Sequence, residues 1–344
     1  MAIDYAQSYS STWSFSRMDP SAWVPIDKIG QLYSFTLDKD GTDSVPLLET
    51  GTAEIDGRDD FIPGWYQLAM IASQPGVGYE IVPMATMWFE SAKGTVTNGE
   101  YRITADGRSV LYPASTTMLT AGSYAPKGVD GASYCADLLR RCGPAPVVVE
   151  GSFTLDDYYV FDEETSVLAA VWMVLDAGDF CIQLDGNGTI RIRPKPTEPS
   201  LIVGRQTAAI MGVSYDYTYD RSSVHNVYVA VDGEYRAVAR NEDPDSPTSV
   251  ASRGFEVTYV DTSPMRVNGE TLQTYAERKL MEERMNVERI LVYNREYWPG
   301  VEPFSIVRWH TSDGYPQDMT VKSQTLTIGK GIQVKETAVA YVEE

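Results

Sequence analysis

Residues 180–194, Phe-Cys-Ile-Gln-Leu-Asp-Gly-Asn-Gly-Thr-Ile-Arg-Ile-Arg-Pro, place an Asp-Gly pair between two runs of strand-forming residues. A type I′ turn needs positive φ at both central residues, which Asn or Asp tolerates and Gly adopts freely. The same signal recurs at Asp40-Gly41, Asn98-Gly99 and Asp232-Gly233. The sequence therefore predicts a chain built largely from antiparallel β-hairpins.

Length and composition describe an ordinary globular protein of more than one domain. The chain has 344 residues, of which 43% are hydrophobic and 22% charged. That length exceeds the usual size of one hydrophobic core, so two or three domains are expected. The sequence contains no run of about eighteen apolar residues, so no membrane-spanning helix is predicted. The start, Met1-Ala2-Ile3-Asp4-Tyr5, lacks a basic and an apolar region, so we expect synthesis in a cytoplasm without a signal peptide.

The charge balance is strongly acidic. The chain carries 28 basic and 48 acidic residues, for a net charge of −20, and its isoelectric point is near 4.5. Such a surface repels phosphate, which argues against nucleic-acid binding through a basic patch. Two interpretations of the charge stay open: solubility, or an acidic lining for a passage through which a polyanion slides.

The pattern of elements divides the chain into four segments. Residues 1–24 form an N-terminal arm rich in Ser, Tyr and Trp, which packs either on its own domain or on a neighbouring subunit. Residues 25–125 form an N-terminal β-domain, residues 126–199 an α+β module, and residues 200–344 a C-terminal β-domain with an inserted loop and helix at about 241–286. The predicted fold class is mainly β (α+β), with two antiparallel β-barrel or sandwich domains around a small α+β module. Strands are predicted at Leu32–Leu37, Thr52–Ile55, Trp65–Ile71, Thr86–Glu90, Gly94–Thr97, Tyr101–Thr104, Ser109–Leu111, Val213–Tyr219, Val224–Val231, Tyr235–Arg240, Ile290–Tyr293, Ile306–Trp309, Met319–Val321, Gln324–Ile328 and Gln333–Val342.

Three helices are predicted from apolar spacing and caps. The first begins near Asp130 and ends at Gly143, and the second follows the candidate caps Thr165 and Ser166 and ends at Gly178. The third runs from an Asn268 N-cap to about Asn286, with Leu272, Tyr275, Ala276 and Leu280 on its buried face. The segment 241–249 has turn chemistry and no periodicity, which predicts a mobile loop.

The sequence offers no catalytic constellation. His225 and His310 are the only histidines, and neither has Cys, Asp or Glu at ligand spacing. Four adjacent acidic pairs could in principle serve a glycoside hydrolase, but adjacent residues alternate faces or lie in loops. These pairs are Asp59-Asp60, Asp156-Asp157, Glu163-Glu164 and Glu282-Glu283.

Metal and redox sites are also unsupported. Asp38-Lys-Asp-Gly-Thr-Asp43 imitates the start of a calcium loop, but Asp43 stands where that loop requires Gly, so a hairpin turn is favoured. Cys135, Cys142 and Cys181 are an odd set without CxxC spacing and are interpreted as core residues, with a Cys181 bridge left as an alternative. We therefore predict no catalytic, cofactor-binding or metal-binding residues and no cofactor.

The order of elements resembles a known family. The features that carry the resemblance are the run Ser223-Val-His-Asn-Val-Tyr-Val-Ala-Val231 with its Asp-Gly hairpin, the pause at 243–249, the helix Thr271-Leu-Gln-Thr-Tyr-Ala-Glu-Arg-Lys-Leu280 and the closing Asp318-Met-Thr-Val-Lys-Ser-Gln-Thr-Leu-Thr327. With the preceding α+β module, these span most of residues 130–344. In that order they resemble the tail-hub or baseplate-hub proteins of bacteriophages and related contractile injection systems.

The resemblance implies a structural virion protein and not an enzyme. It implies a ring, as a homotrimer, that adapts the tail tube to the tip or spike around the DNA channel. Its partners would be copies of itself, tail tube and distal tail proteins, and a tip, spike or tape-measure protein, in a virion tail. Two alternatives remain: a carbohydrate- or receptor-binding β module, and a hydrolase. The seven tryptophans are either subunit anchors or intradomain core, namely Trp13, Trp23, Trp65, Trp88, Trp172, Trp298 and Trp309.

Overall fold

The architecture is taken from a computed structural model of the chain. The structure describes residues 3, 9–41, 48–57, 61–162, 164–204, 214–220, 222, 224–262, 264, 270–284, 287–298, 300–310, 316–328 and 332–342.

The chain is mainly β, as the hairpin signals predict. The strands are β1 Ser10–Asp19, β2 Val24–Lys28, β3 Leu32–Asp40, β4 Glu49–Asp56, β5 Gly64–Gln74, β6 Gly78–Thr97, β7 Glu100–Ser109, β8 Tyr124–Ala125, β9 Val147–Val149, β10 Tyr159–Val160, β11 Phe180–Leu184, β12 Ile190–Pro194, β13 Pro199–Val203, β14 Ser214–Asp220, β15 Val227–Asp232, β16 Tyr235–Arg240, β17 Thr258–Asp261, β18 Val287–Glu296, β19 Ile306–His310, β20 Pro316–Ile328 and β21 Ile332–Val342. The helices are α1 Tyr112–Thr116, α2 Gly131–Cys142, α3 Val167–Ala177, α4 Val250–Arg253 and α5 Leu272–Arg284.

Contacts group the chain into two compact units. The first comprises Met1–Ser214 with Tyr293–Thr337, and the second comprises Tyr215–Val292 with Ala338–Glu344. The boundaries of these two units differ from those of the four predicted segments, and the four-segment organisation stays a prediction.

A large antiparallel sheet dominates the first unit. Its strands pair in the order β20-β3-β4-β7-β6-β5-β1-β2, so β3 lies between its hairpin partner β4 and the distant β20. β1 belongs to the predicted arm and pairs with β5 at eight positions, which places this part of the arm on its own unit. The alternating apolar side chains of these strands meet in one core around Phe15, Phe35 and Tyr66.

The four Asx-Gly signals lie at four real hairpins, but only one forms the predicted turn. Asn98 and Gly99 have φ of 53° and 82°, and Thr97 pairs with Glu100, as a type I′ turn requires. At Asp40-Gly41 the prediction of a two-residue turn is wrong, because the Asp40 N–H donates to the Leu48 carbonyl at 2.7 Å and the connection is longer.

The other two turns differ in detail. In the 180–194 hairpin, Leu184 pairs with Ile190 and the positive φ of 82° falls on Gly188, two residues after Gly186. A three-residue loop closed by a glycine in the left-handed region explains this geometry. In the fourth hairpin Asp232 pairs with Tyr235, so Gly233 is the first central residue and not the second. Local sequence therefore indicates a hairpin more reliably than it indicates the turn register.

Several strand boundaries also need correction. The predicted strand Ser109–Leu111 is wrong: β7 ends at Ser109, and Leu111 is the N-cap of α1. The two predicted strands Thr86–Glu90 and Gly94–Thr97 are parts of β6, which pairs with β7 through an irregularity between Phe89 and Ala92.

The two predicted helices of the α+β module form, and polar side chains cap both of them. The Asp130 carboxylate accepts the Ala132 N–H at the start of α2, and the Ser166 hydroxyl accepts the Ala169 N–H at the start of α3. Both helices pack on the sheet β11-β12-β9 around a core that includes Leu139.

The second unit holds a small sheet in the order β16-β15-β17 with α5 packed on β15 and β16. Tyr275, Ala276 and Leu280 are buried as predicted, whereas the proposed cap Asn268 lies outside the described residues. Residues 241–249 form a loop as predicted, in which Asn241, Ser246 and Thr248 are buried and linked through their side chains. The mobility of this loop stays a prediction.

Among the residues that the structure describes, no helix has the length and apolar character needed to cross a membrane.

Candidate assembly surfaces

The structure describes only part of the residues considered for catalysis, because Asp59, Asp60 and Glu163 lie outside the described residues. The His225 ring packs 5.2 Å from the Tyr259 ring, and His310 is exposed at the end of β19. Asp38 and Asp40 of the calcium-like segment are residues of β3, and the Asp38 carboxylate accepts the Thr325 hydroxyl at 2.7 Å. Within the described ranges, no three His, Cys, Asp or Glu side chains come together as metal ligands.

The cysteines behave as core residues. All three are free thiols, so the alternative of a Cys181 bridge is wrong. Cys135 and Cys181 are buried, and burial raises the pKa of the Cys181 thiol to about 11. A thiol with so high a pKa is a poor nucleophile at neutral pH.

The tryptophans pack within the first unit. Trp65 and Trp309 are buried, so for these two the core interpretation holds and the subunit-anchor hypothesis is wrong. Trp23, Trp65 and Trp88 form an edge-to-face series with centroid distances of 5.6 and 5.4 Å.

The hairpin turn of the α+β module is docked against β6. The Gly186 carbonyl accepts the Thr86 hydroxyl at 2.9 Å, and the Asn187 carbonyl accepts the Trp23 indole N–H at 2.8 Å. A Cβ at Gly186 would lie 2.0 Å from the Pro83 carbonyl oxygen, so only glycine permits this approach. We call residues 185–189 the docked turn.

A buried polar network lies beside the docked turn. Lys39 is only 3% exposed, and its Nζ lies 3.4 Å from the Glu49 carboxylate and 2.6 Å from that of Glu302. Burial lowers the pKa of Lys39, but the two carboxylates outweigh burial and hold it above its ordinary value. Burial raises the pKa of Glu49 to about 7, against the lowering effect of Lys39.

The network continues through a second buried pair. Arg295 and Glu336 are almost wholly buried and lie 2.6 Å apart, and Gln324 donates to the same Glu336 oxygen at 2.5 Å. Burial lowers the pKa of Arg295 to about 10 and raises that of Glu336 well above its ordinary value. Three carboxyl groups thus face two cations, and full ionisation would leave an excess buried negative charge. The cavity that the described residues form beside Lys39, Glu49 and Glu302 holds only about 10 Å³, and we interpret the network as a structural element.

The exposed features of the first unit are strand edges and hairpins. β2 ends the sheet order and all five of its residues are exposed, but it is short and carries Pro25, Asp27 and Lys28, which blunt an edge. The outer half of the β6–β7 hairpin bears exposed Val96 and Tyr101 beside an open hollow of about 620 Å³. Such surfaces suit contacts with other proteins better than they suit enclosure of a small substrate.

The sequence and the fold were compared with those of known proteins. No protein-family model matches the chain, and no curated protein matches its sequence. The tail protein from Neisseria meningitidis MC58 matches 95% of this chain and 96% of its own with a TM-score of 0.66 at 14% identity. The chain has the fold of phage tail proteins.

Two further structures agree with that fold. The 43 kDa tail protein of prophage MuSo2 from Shewanella oneidensis matches 96% of this chain and 98% of its own, with a TM-score of 0.63 at 11% identity. A chain of the lidded Francisella PdpA–VgrG complex matches 98% of this chain and 54% of its own, with a TM-score of 0.57 at 7% identity. The resemblance drawn from the order of elements is therefore confirmed for the fold.

Proposed function

We propose that this chain is a structural, non-enzymatic component of a phage-type tail. The observation that carries the proposal is the match to a tail protein over 95% of one chain and 96% of the other, which leaves almost no part of either unmatched. Fold alone does not establish function, so the proposal adds the outer half of the β6–β7 hairpin, whose exposed Val96 and Tyr101 suit contacts with another protein.

We propose further that the chain acts as a hub that forms a ring around the DNA channel. A homotrimer is the simplest form, because the β-rich segments 25–125 and 200–344 of three copies would offer six units to a sixfold tube. Closure of a ring turns exposed strand edges into subunit contacts. Its neighbours would be tail tube and distal tail proteins on one side and a tip, spike or tape-measure protein on the other. The place of action would be the virion tail, after synthesis in the host cytoplasm.

The acidity of the chain supports a role for the channel wall. With a net charge of −20, an inward-facing acidic surface would repel DNA and let it pass without adhesion. A solved ring with a neutral or basic lumen would remove this part of the proposal.

Native mass tests the oligomer directly. A trimer of 38.1 kDa chains has a mass of three times that value, about 114 kDa. Native mass spectrometry and sedimentation over a hundredfold range of concentration should reveal this species and, in electron micrographs, a ring. A protein that stays a monomer throughout, and is absent from rings when mixed with its tail tube, contradicts the hub.

The exposed tyrosines favour one alternative, a carbohydrate- or receptor-binding module. Tyr79 is 74% exposed and Tyr235 is 77% exposed, and aromatic rings of this kind can stack on sugars. A glycan array separates the two functions. A monomer that binds a defined glycan supports the module, and a trimer that ignores every glycan supports the hub.

A further inference from the structure

An apolar face of the α+β module points outward where a polar face is expected. Strands β8 and β10 pair through Tyr159↔Ala125 and Val160↔Tyr124. One face of this two-stranded ribbon is buried, since Ala125 and Phe161 belong to the module core. Because side chains alternate along a strand, the residues between them lie on the opposite face, which is open to solvent.

That opposite face carries two tyrosines and a valine. Tyr124, Tyr158 and Val160 are 50%, 60% and 71% exposed, and the two tyrosine rings lie 6.1 Å apart. Met118, on the segment leading into β8, is 57% exposed. Tyr124, Tyr158 and Val160 together expose an area on the order of 350 Å², which lies in the range of the largest and often functional patch on a typical monomer. We call Tyr124, Tyr158 and Val160 the tyrosine face.

The tyrosine face is bordered by carboxylates. Residues 156–164, Asp-Asp-Tyr-Tyr-Val-Phe-Asp-Glu-Glu, contain five acidic residues and no basic one. Asp156, Asp157, Asp162 and Glu164 are exposed, and none of the four forms an ion pair with a described Lys or Arg. Lys127 follows β8 in the sequence, and among the described residues no ion pair joins it to these carboxylates.

We propose that the tyrosine face is a docking surface for a partner protein that presents arginine side chains. A guanidinium stacks on a tyrosine ring and at the same time forms bidentate hydrogen bonds with a neighbouring carboxylate. The face supplies both groups: adjacent rings in the middle, and at the border carboxylates that form no ion pair with a described Lys or Arg. This inference concerns a surface of its own and does not depend on the ring.

Charge argues against other occupants. A symmetric contact with a second copy would bring the carboxylates of both faces together, and like charges that face each other across an interface disfavour binding. Nucleic acid is repelled for the same reason. A neutral glycan could stack on the rings and donate hydroxyls to the carboxylates, but it brings no positive charge to balance them, so tight sugar binding is the outcome that would overturn the proposal.

The experiment uses the full chain and peptides of defined charge. The probes are a labelled (Gly-Arg)4 peptide, its (Gly-Lys)4 and (Gly-Glu)4 counterparts, and chitotetraose, measured by fluorescence anisotropy or calorimetry at physiological salt. We expect the arginine peptide to bind most tightly, the lysine peptide less tightly and the glutamate peptide not at all. The double variant Tyr124→Ala/Tyr158→Ala should weaken arginine-peptide binding at least tenfold.

Matched controls separate the face from the general acidity of the chain. Tyr79→Ala removes another exposed tyrosine and should leave binding unchanged. Asp156→Asn/Asp157→Asn should weaken binding, whereas Asp27→Asn/Glu80→Gln removes the same charge from other exposed positions and should not. Circular dichroism checks that each variant stays folded, and the Asn variants keep the residue shape.

Three results would overturn the proposal. They are no binding of the arginine peptide at roughly millimolar concentration, equal losses in the control and test variants, and tighter binding of chitotetraose than of the peptide.

Discussion

Replacing Gly186 with alanine should loosen the docked turn from β6. The added Cβ would lie 2.0 Å from the Pro83 carbonyl oxygen and 2.3 Å from the Pro83 carbonyl carbon, both backbone atoms that cannot rotate away. The turn must therefore retreat by more than about 1 Å to reach an ordinary contact distance. Gly94→Ala is the matched control, because a Cβ at Gly94 meets no atom within 4 Å.

The size of the effect follows from the contacts that a retreat would break. Overpacking costs about 1–3 kcal/mol in general. The hydrogen bonds from the Thr86 hydroxyl and the Trp23 indole to the turn would also lengthen, and each contributes about 0.5–1.5 kcal/mol. We expect Gly186→Ala to lower the free energy of unfolding by about 3 kcal/mol, and the melting temperature by about 6–12 °C. Gly94→Ala should be neutral or raise stability by up to about 1 kcal/mol.

Tryptophan fluorescence measures this effect in the right part of the molecule. All seven tryptophans lie in the first unit, so urea unfolding followed by their emission reports that unit alone. The emission of Trp23 should also shift to longer wavelength in folded Gly186→Ala, because its indole loses the Asn187 partner. If the two glycine variants unfold within about 0.5 kcal/mol of each other, the reasoning about close approach is refuted.

Three further predictions concern the buried charges and the thiols. Lys39→Met should lower the free energy of unfolding in urea by about 3–5 kcal/mol, because it leaves buried carboxylates without their cation. The double variant Lys39→Met/Glu49→Gln should recover part of that loss, and equal stability of the single and double variants would contradict the pairing. Burial holds the pKa of Glu49 at about 7 in the folded chain, against 4.5 ordinarily, so between these two pH values the folded state keeps a proton that the unfolded state has lost. The free energy of unfolding should therefore fall by up to about 3 kcal/mol as the pH rises from about 4.5 to about 7. Glu49→Gln should flatten that part of the stability curve, and an unchanged slope would exclude Glu49 as its source. In the native protein a thiol-reactive reagent should label half-buried Cys142 before Cys135 and Cys181, as measured by peptide mass spectrometry. Early labelling of either buried thiol would contradict their core placement.

The features that the sequence predicts well have causes within a few residues. The Asn98-Gly99 turn needs only two positive φ angles, and Ser166, one of two candidate caps of α3, needs only an N–H group of the next turn. The mainly β class and the buried face of α5 follow from short-range periodicity in the same way.

The features that the sequence misses depend on distant partners. Lys39 stands between two aspartates and reads as an exposed turn residue, yet it is buried because Glu302 reaches it from 263 positions away. The docked turn has the local signal of a hairpin, and nothing near Gly186 indicates that Pro83 will press against it. The tyrosine face has a signal that could have been found, since residues 156–164 combine five acids with two tyrosines, but a loop of that composition is ordinarily only solvated.

The pairing of β3 with β20 determines how late in synthesis β3 can gain its second neighbouring strand. About 280 residues separate the end of β3 from the start of β20, and a ribosome adding roughly 5–20 residues per second needs about 15–60 seconds to make them. During that interval one edge of β3 has no strand to pair with, and it could pair with a strand of another nascent chain on the same polysome. Asp38, Lys39 and Asp40 put charge on that waiting strand, which discourages wrong partners until the late strand arrives. A message cut short before codon 316 should therefore yield insoluble product even though most of the sheet has been translated.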